Sequence, residues 1–82
     1  MSEEEYAQAY VDLTVAWAAI LAREAALLAE DGSEIDLDAV IEAYDAALAA
    51  LDEHSSLLSE DQVAFVNSVL AAIDALIAQL SA

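Results

Sequence analysis

His54 is the only imidazole in the chain, and it follows directly on Asp52 and Glu53. A nitrogen ligand beside carboxylates is the kind of set that holds a divalent metal or a haem iron. The spacing works against it. Consecutive residues of a helix point in different directions, so the trio does not converge on one ion. There is no second histidine and no cysteine to complete a zinc set. A helix C-terminus suits His54 better, because the dipole there favours a cation-capable side chain. A symmetric oligomer that gathered several copies of His54 is the one arrangement that would restore a metal site.

Paired carboxylates are the next candidate. The chain has 17 acids, one Lys or Arg in total and a formal net charge of −16 over 82 residues. Acids are plentiful, but no Ser-His-Asp, Cys-His or glycine-rich phosphate pattern accompanies them. Asp74 alone stands inside a long apolar stretch, and the exposed rim of an interface accounts for it. The sequence therefore predicts no enzyme, no cofactor and no metal.

Arg23 is the sole cation besides His54. Its neighbours three and four residues away are Ile20, Ala26, Ala19 and Leu27, all apolar, so it has no partner on its own helix. One reading gives it a partner on another helix or subunit, with Asp38, Glu42 or Asp45 in reach. The other makes it a solvated side chain whose stem shields apolar surface.

The distribution of charge is the most informative feature. Most acids gather near the ends of the expected helices, in 3–5, 30–38 and 52–61. Leu13 to Ala22 carries no charge, and Gln62 to Ala82 carries only Asp74. A helix that is apolar all round is buried all round, so these flanks call for a covering surface. A charge of −16 repels phosphate and anionic lipid, which excludes direct nucleic-acid binding and allows a basic protein partner. A nucleic-acid mimic needs carboxylates spread along a flank, and a halophilic origin predicts the same dense sides. Acids clustered at the ends disfavour both. The last helix is apolar enough to raise the question of a membrane. It carries Asn67, Ser68, Asp74 and Gln79 and has no basic flank, so insertion is not expected. The start, Met1-Ser2-Glu3-Glu4-Glu5, is acidic where a secretory leader would be basic, which leaves the compartment unassigned.

With 21 alanines, one glycine and no proline, the composition is helical throughout. Three helix starts are marked. Ser2 with Glu5 and Ser59 with Gln62 read as capping boxes, and Asp36 caps the second helix, with Ser33 a weaker competing start. Ile35 with Val40 and Leu58 with Val63 are spaced as hydrophobic staples. Gly32 stands where the first helix needs a left-handed residue to end. Helices are expected at about 3–31, 37–53 and 60–80 in one domain spanning 1–82. Short connections imply antiparallel neighbours, hence an all-α, up-down-up three-helix bundle. At 1.5 Å per residue the helices run about 43, 26 and 31 Å, so the first third of helix 1 overhangs, with Leu57 and Leu58 expected to cover part of it.

Helix 2 shows a single apolar stripe, Leu37, Val40, Ile41, Tyr44, Leu48 and Leu51. Helix 3 shows two, Val63-Val66-Leu70-Ile73-Ile77-Leu80 and Phe65-Val69-Ala72-Leu76. On helix 1 the polar line of Glu5, Gln8, Asp12, Arg23 and Glu30 is interrupted at Val15, Ala16 and Ala19. The expected association surface is therefore Tyr6, Tyr10, Val11, Val15, Trp17 and Ala19 on helix 1 with Phe65, Val69, Ala72 and Leu76 on helix 3. Trp17 and Phe65 are its candidate anchors, since aromatics dominate hot spots, with core packing as the other reading. Asn67 and Ser68 are polar residues that would set register there. Thr14 is placed to bond back to the Tyr10 carbonyl.

Complete caps and staples, one glycine at a helix end, no proline and no cysteine agree at every level. In these features, and in Met1-Ser2-Glu3-Glu4-Glu5, Asp31-Gly32-Ser33 and Leu58-Ser59-Glu60-Asp61, the chain resembles de novo designed helical bundles. It departs from them in lacking Glu→Lys surface pairs. The resemblance implies no natural activity or substrate. The function expected is that of a structural, self-assembling homo-oligomer held through helices 1 and 3. The alternative is a designed binding module for a basic or apolar protein partner, or for a small apolar ligand.

Overall fold

The computed structural model describes residues 2–82. It is all-helical: α1 spans Glu3–Glu30, α2 Leu37–His54 and α3 Glu60–Ser81, with a 3₁₀ turn at Ser55–Leu57 and no strand among the described residues. Each helix packs against the other two. The longest dimension, 45 Å, is set by α1, whose 28 residues extend about 42 Å at 1.5 Å each.

The helix ends form as their residues dictate. Ser2 Oγ accepts from the Glu5 N–H at 3.1 Å, and its hydroxyl donates to Glu5 Oε1 at 3.2 Å. Asp36 Oδ1 accepts from the Ala39 N–H at 3.1 Å, and Ser59 Oγ from the Gln62 N–H at 3.2 Å. Each bond satisfies an amide that has no partner within its helix. Asp36, not Ser33, starts α2. The end of α1 is a Schellman motif. Gly32 N–H donates to Ala29 O at 3.1 Å and Ser33 N–H to Leu28 O at 2.9 Å, with Gly32 at φ 77°. The staple residues Ile35, Leu58 and Val63 pack against the core.

The core is small in its side chains. Ala7, Ala18, Ala22, Ala25, Ala43, Ala47 and Ala50 are buried with Val11, Val15, Val40, Leu51, Val66, Leu70 and Ile73, and no polar side chain among the described residues is buried with them. α3 contributes the bulk, while α1 and α2 contribute mostly alanine. Small side chains let two helices approach closely.

Two expectations are corrected. Val11 and Val15 do not lie on an outer surface; they are 0 % and 5 % exposed, inside the core. The inner face of α2 is Val40, Ala43, Ala47, Ala50 and Leu51, while Leu37, Ile41 and Tyr44 are half-buried and Leu48 is exposed. The first third of α1 is covered in part and open in part, with Tyr6 and Tyr10 exposed. The 3₁₀ turn packs against α1, and Ala7 and Val11 are fully covered.

Candidate association surface

Most of the bulk missing from the core is on the outside. Tyr6, Tyr10, Leu13, Trp17, Ile20, Leu27 and Leu28 of α1 are exposed, as are Leu48, Leu57 and Phe65. The α1 residues are ordered. Tyr6, Tyr10, Leu13, Trp17, Ile20, Glu24 and Leu27 follow one another at alternating steps of four and three. The buried series Val11, Val15, Ala18, Ala22 and Ala25 has the same alternation. That spacing keeps a stripe on one side of a helix, and the two stripes lie about 140° apart at about 100° per residue. α1 thus has two apolar faces, one covered and one uncovered.

The N-terminal end of the outer face is an aromatic cluster. Tyr6 and Tyr10 stack with ring centroids 6.2 Å apart, and His54 meets Tyr10 edge-on at 5.1 Å. Edge-to-face and offset contacts of this kind suit the ring quadrupoles. His54 is the last residue of α2, in the position where the dipole favours it. Ser2, Glu3, Tyr6, His54 and Leu57 line a shallow pocket of about 460 Å³ there. No group of three or more His, Asp or Glu side chains able to hold a metal occurs among the described residues.

A second depression, an open groove of about 560 Å³, runs between α1 and α3. Val15 and Ala16 form one wall, Phe65, Val66 and Val69 the other, with Gln8, Asp12, Asp61 and Gln62 at the rim. Gln62 does not close its capping box with its side chain. Its Nε2 donates instead to Asp12 Oδ1 at 3.4 Å, tying the start of α3 to α1.

The expected surface residues divide into three groups. Tyr6, Tyr10, Trp17, Phe65 and Ala72 are exposed; Ala19, Val69 and Leu76 are half-buried; Val11 and Val15 are core. Leu13, Ile20, Leu27 and Leu28 belong to the outer face but were missing from the expected set. The four-three alternation through Tyr6, Tyr10 and Trp17 was the signal that could have found the first three, and Leu28 lies beside it. Arg23 is exposed, and none of the side-chain hydrogen bonds among the described residues involves it. Asp74 is exposed too, close enough to Tyr44 to act on it. Burial pushes the Tyr44 hydroxyl above its ordinary value of 10.0, and the charges of Asp74 and Asp45 push it further. Thr14 Oγ1 donates to the Tyr10 carbonyl at 2.8 Å, as its position in the helix led us to expect.

By length and composition α3 could cross a membrane, and only 17 % of its most apolar window is buried. The exposed part is chiefly alanine (Ala64, Ala71, Ala72, Ala75 and Ala78) with Asn67, Ser68 and Asp74 among it. The chain thus exposes apolar surface on α1 and α3 together. No family model matches the chain, and no curated protein or solved structure matches it.

Proposed function

We propose that this chain is the protomer of a helical homo-oligomer, a designed structural protein with no catalytic role, its three helices in up-down-up order. The contacts are the exposed apolar surfaces of α1 and α3. The observation that carries this reading is the inversion of side-chain size. Half of the buried residues are alanine, while Trp17 and Phe65 are 51 % and 64 % exposed. Isolated apolar residues on a surface are ordinary, but a contiguous large patch marks an association site. The completeness of the caps supports a designed origin.

The test is mass in solution, by size-exclusion chromatography with light scattering over a dilution series. A discrete mass of two or more chains that falls to one chain in Trp17→Glu or Phe65→Glu, with helicity retained, supports the reading. A monomer at every concentration overturns it. In that case the second reading takes over, a binding module for a basic or apolar partner on the same surface. The net charge of −16 is the observation that favours this second reading.

A further inference from the structure

The groove between α1 and α3 has an acid on each lip and apolar walls between them. We propose that it receives a basic amphipathic helix of another protein, laid along α3 with its apolar face on Phe65 and Val69 and its cations on Asp12 and Asp61. This goes beyond the self-association proposed above, because the site is set apart from the outer stripe of α1. Asp12 is consecutive with Leu13 of that stripe and points about 100° away from it. Phe65 is common to both surfaces, so the helix competes with a second copy wherever self-association covers Phe65.

The first observation is shape. Val15 and Ala16 face Phe65, Val66 and Val69 across the groove. From Asp61 to Val69 it follows α3 for about 12 Å at 1.5 Å per residue. Side chains at i, i+4 and i+7 of a docked helix span about 10 Å, which that length accommodates. Beyond Val69 the stripe continues through Ala72, which is exposed, and Leu76, which is half-buried. α3 thus keeps a second apolar side of helical period that neither α1 nor α2 fully covers. The groove is open along its length, whereas a small ligand is enclosed over about 70–90 % of its surface. A helix needs only one face covered, and fits the opening.

The second observation is charge. Asp12 stands on the α1 lip and Asp61 on the α3 lip, and they are the only charged residues that line the groove. The bond from Gln62 Nε2 holds the Asp12 carboxylate at the lip. It uses one of about four acceptor positions, so the carboxylate can still take a cation. The chain has no lysine. Arg23 is about 16 Å from Asp12 along α1, so neither lip has a lysine or arginine to pair with. A second copy brings a single arginine among 17 acids. A basic helix sets a cation on each lip while its apolar face covers Phe65, and so matches the groove in both respects.

The probe is a fluorescein-labelled peptide of about 16 residues, long enough to form a helix, with leucines on one helical face and lysines and alanines elsewhere. A scrambled peptide of the same composition is the control. Both are titrated with the full chain and with Trp17→Glu, and followed by fluorescence anisotropy. We expect the patterned peptide to bind at least about ten-fold tighter than the scrambled one, as burial of a single leucine requires. Asp12→Asn and Asp61→Asn should each weaken it by up to about five-fold. Asparagine at 12 can still accept the Gln62 bond, so only the charge is lost. Ala16→Trp, which fills the groove from an exposed position, should weaken it further. Glu34→Gln and Asp38→Asn, which remove the same charge beside the Asp36 cap, should leave it unchanged. Binding to Trp17→Glu but not to a multimeric parent would support the groove and show the competition at Phe65. Equal binding of the two peptides, or equal loss from the near and remote acids, would mean attraction to the net charge alone and would overturn the inference. So would no binding to either protein; if Ala16→Trp then also lowered the mass of the parent, a second copy would be the occupant. The mass of the unmodified chain is read in parallel, so a monomer that binds the peptide would defeat the self-association reading and leave this one standing.

Discussion

Trp17 and Ala18 are consecutive residues on α1 that face opposite environments: Ala18 is fully buried and Trp17 is half exposed. A lone three-helix bundle would be expected the other way round, because burying an indole removes several times more apolar area than burying a methyl group. The pair therefore separates two energies that are usually mixed. Ala18 reports on the fold and Trp17 on whatever covers it. Trp17→Glu is expected to leave helicity unchanged and the free energy of urea unfolding of the monomer within about 0.5 kcal/mol of the parent, as for other exposed positions. Its effect should appear in the mass. A folded Trp17→Glu that kept a multimeric mass would remove the outer face of α1 from the contact.

Ala18 responds in the opposite sense, together with Ala22, Ala43 and Ala47, all 0 % exposed in the core. Ala47→Leu forces extra methyl and methylene groups into this space and is expected to cost about 1–3 kcal/mol. Urea unfolding of the variant against the parent measures it. A neutral or stabilising result would mean that the α1–α2 contact is loose.

The helix ends and the core were not equally legible. Ser2, Asp36, Ser59 and Gly32 announced their roles because capping is local; the bond spans three residues and depends on nothing distant. The inner face of α2 was not legible for a physical reason. Hydrophobic patterning follows the large residues Leu37, Ile41, Tyr44 and Leu48, yet what decides which side faces in is how near the partner helix comes. Alanine, weak in any hydrophobicity pattern, permits the nearest approach, so Ala43, Ala47 and Ala50 went inside and the larger residues moved to the edge. The same logic buried Val11 and Val15 and left Trp17 out. On the exposed apolar surface, Tyr6, Tyr10, Trp17 and Phe65 stood out by type, whereas Leu13, Ile20 and Leu27 stood out only by register.

Gly32 isolates the value of one backbone conformation. Its φ is 77°, and a Cβ placed on it would meet nothing within 4 Å. Any penalty for Gly32→Ala is therefore conformational and not steric contact with a neighbour. The left-handed region costs an L-residue about 1–2 kcal/mol, and the variant is expected to lose that much in urea unfolding. No loss would mean that the α1 end rearranges around the new residue without its Schellman bonds.

Tyr44 gives the fold an alkaline limit. Its folded-state hydroxyl is held above 10.0, first by burial and then by Asp74 and Asp45, so the fold favours the neutral phenol. The stabilisation is complete below the unfolded value near 10 and is lost as pH rises through the higher folded value. Melting temperature is expected to fall less steeply above pH 10 in Tyr44→Phe than in the parent. Identical slopes would show that Tyr44 does not contribute to alkaline unfolding.

Salt separates the two functional readings by sign. Each chain carries −16, so two copies repel at long range and a basic partner is attracted. The Debye length shrinks from about 30 Å at 0.01 M to about 8 Å at 0.15 M, which removes most of either effect. Self-association is expected to tighten across that range, and capture of a basic partner to weaken. Ion pairs across an interface would work against the first trend. An exposed pair contributes about 1 kcal/mol at most, and it acts over a few ångströms, whereas the repulsion sums over all the acids of both copies. The dissociation constant of the oligomer, from dilution series at the two salt concentrations, therefore falls as salt is added. A constant that rose instead would mean that ion pairs across the interface outweigh the net charge.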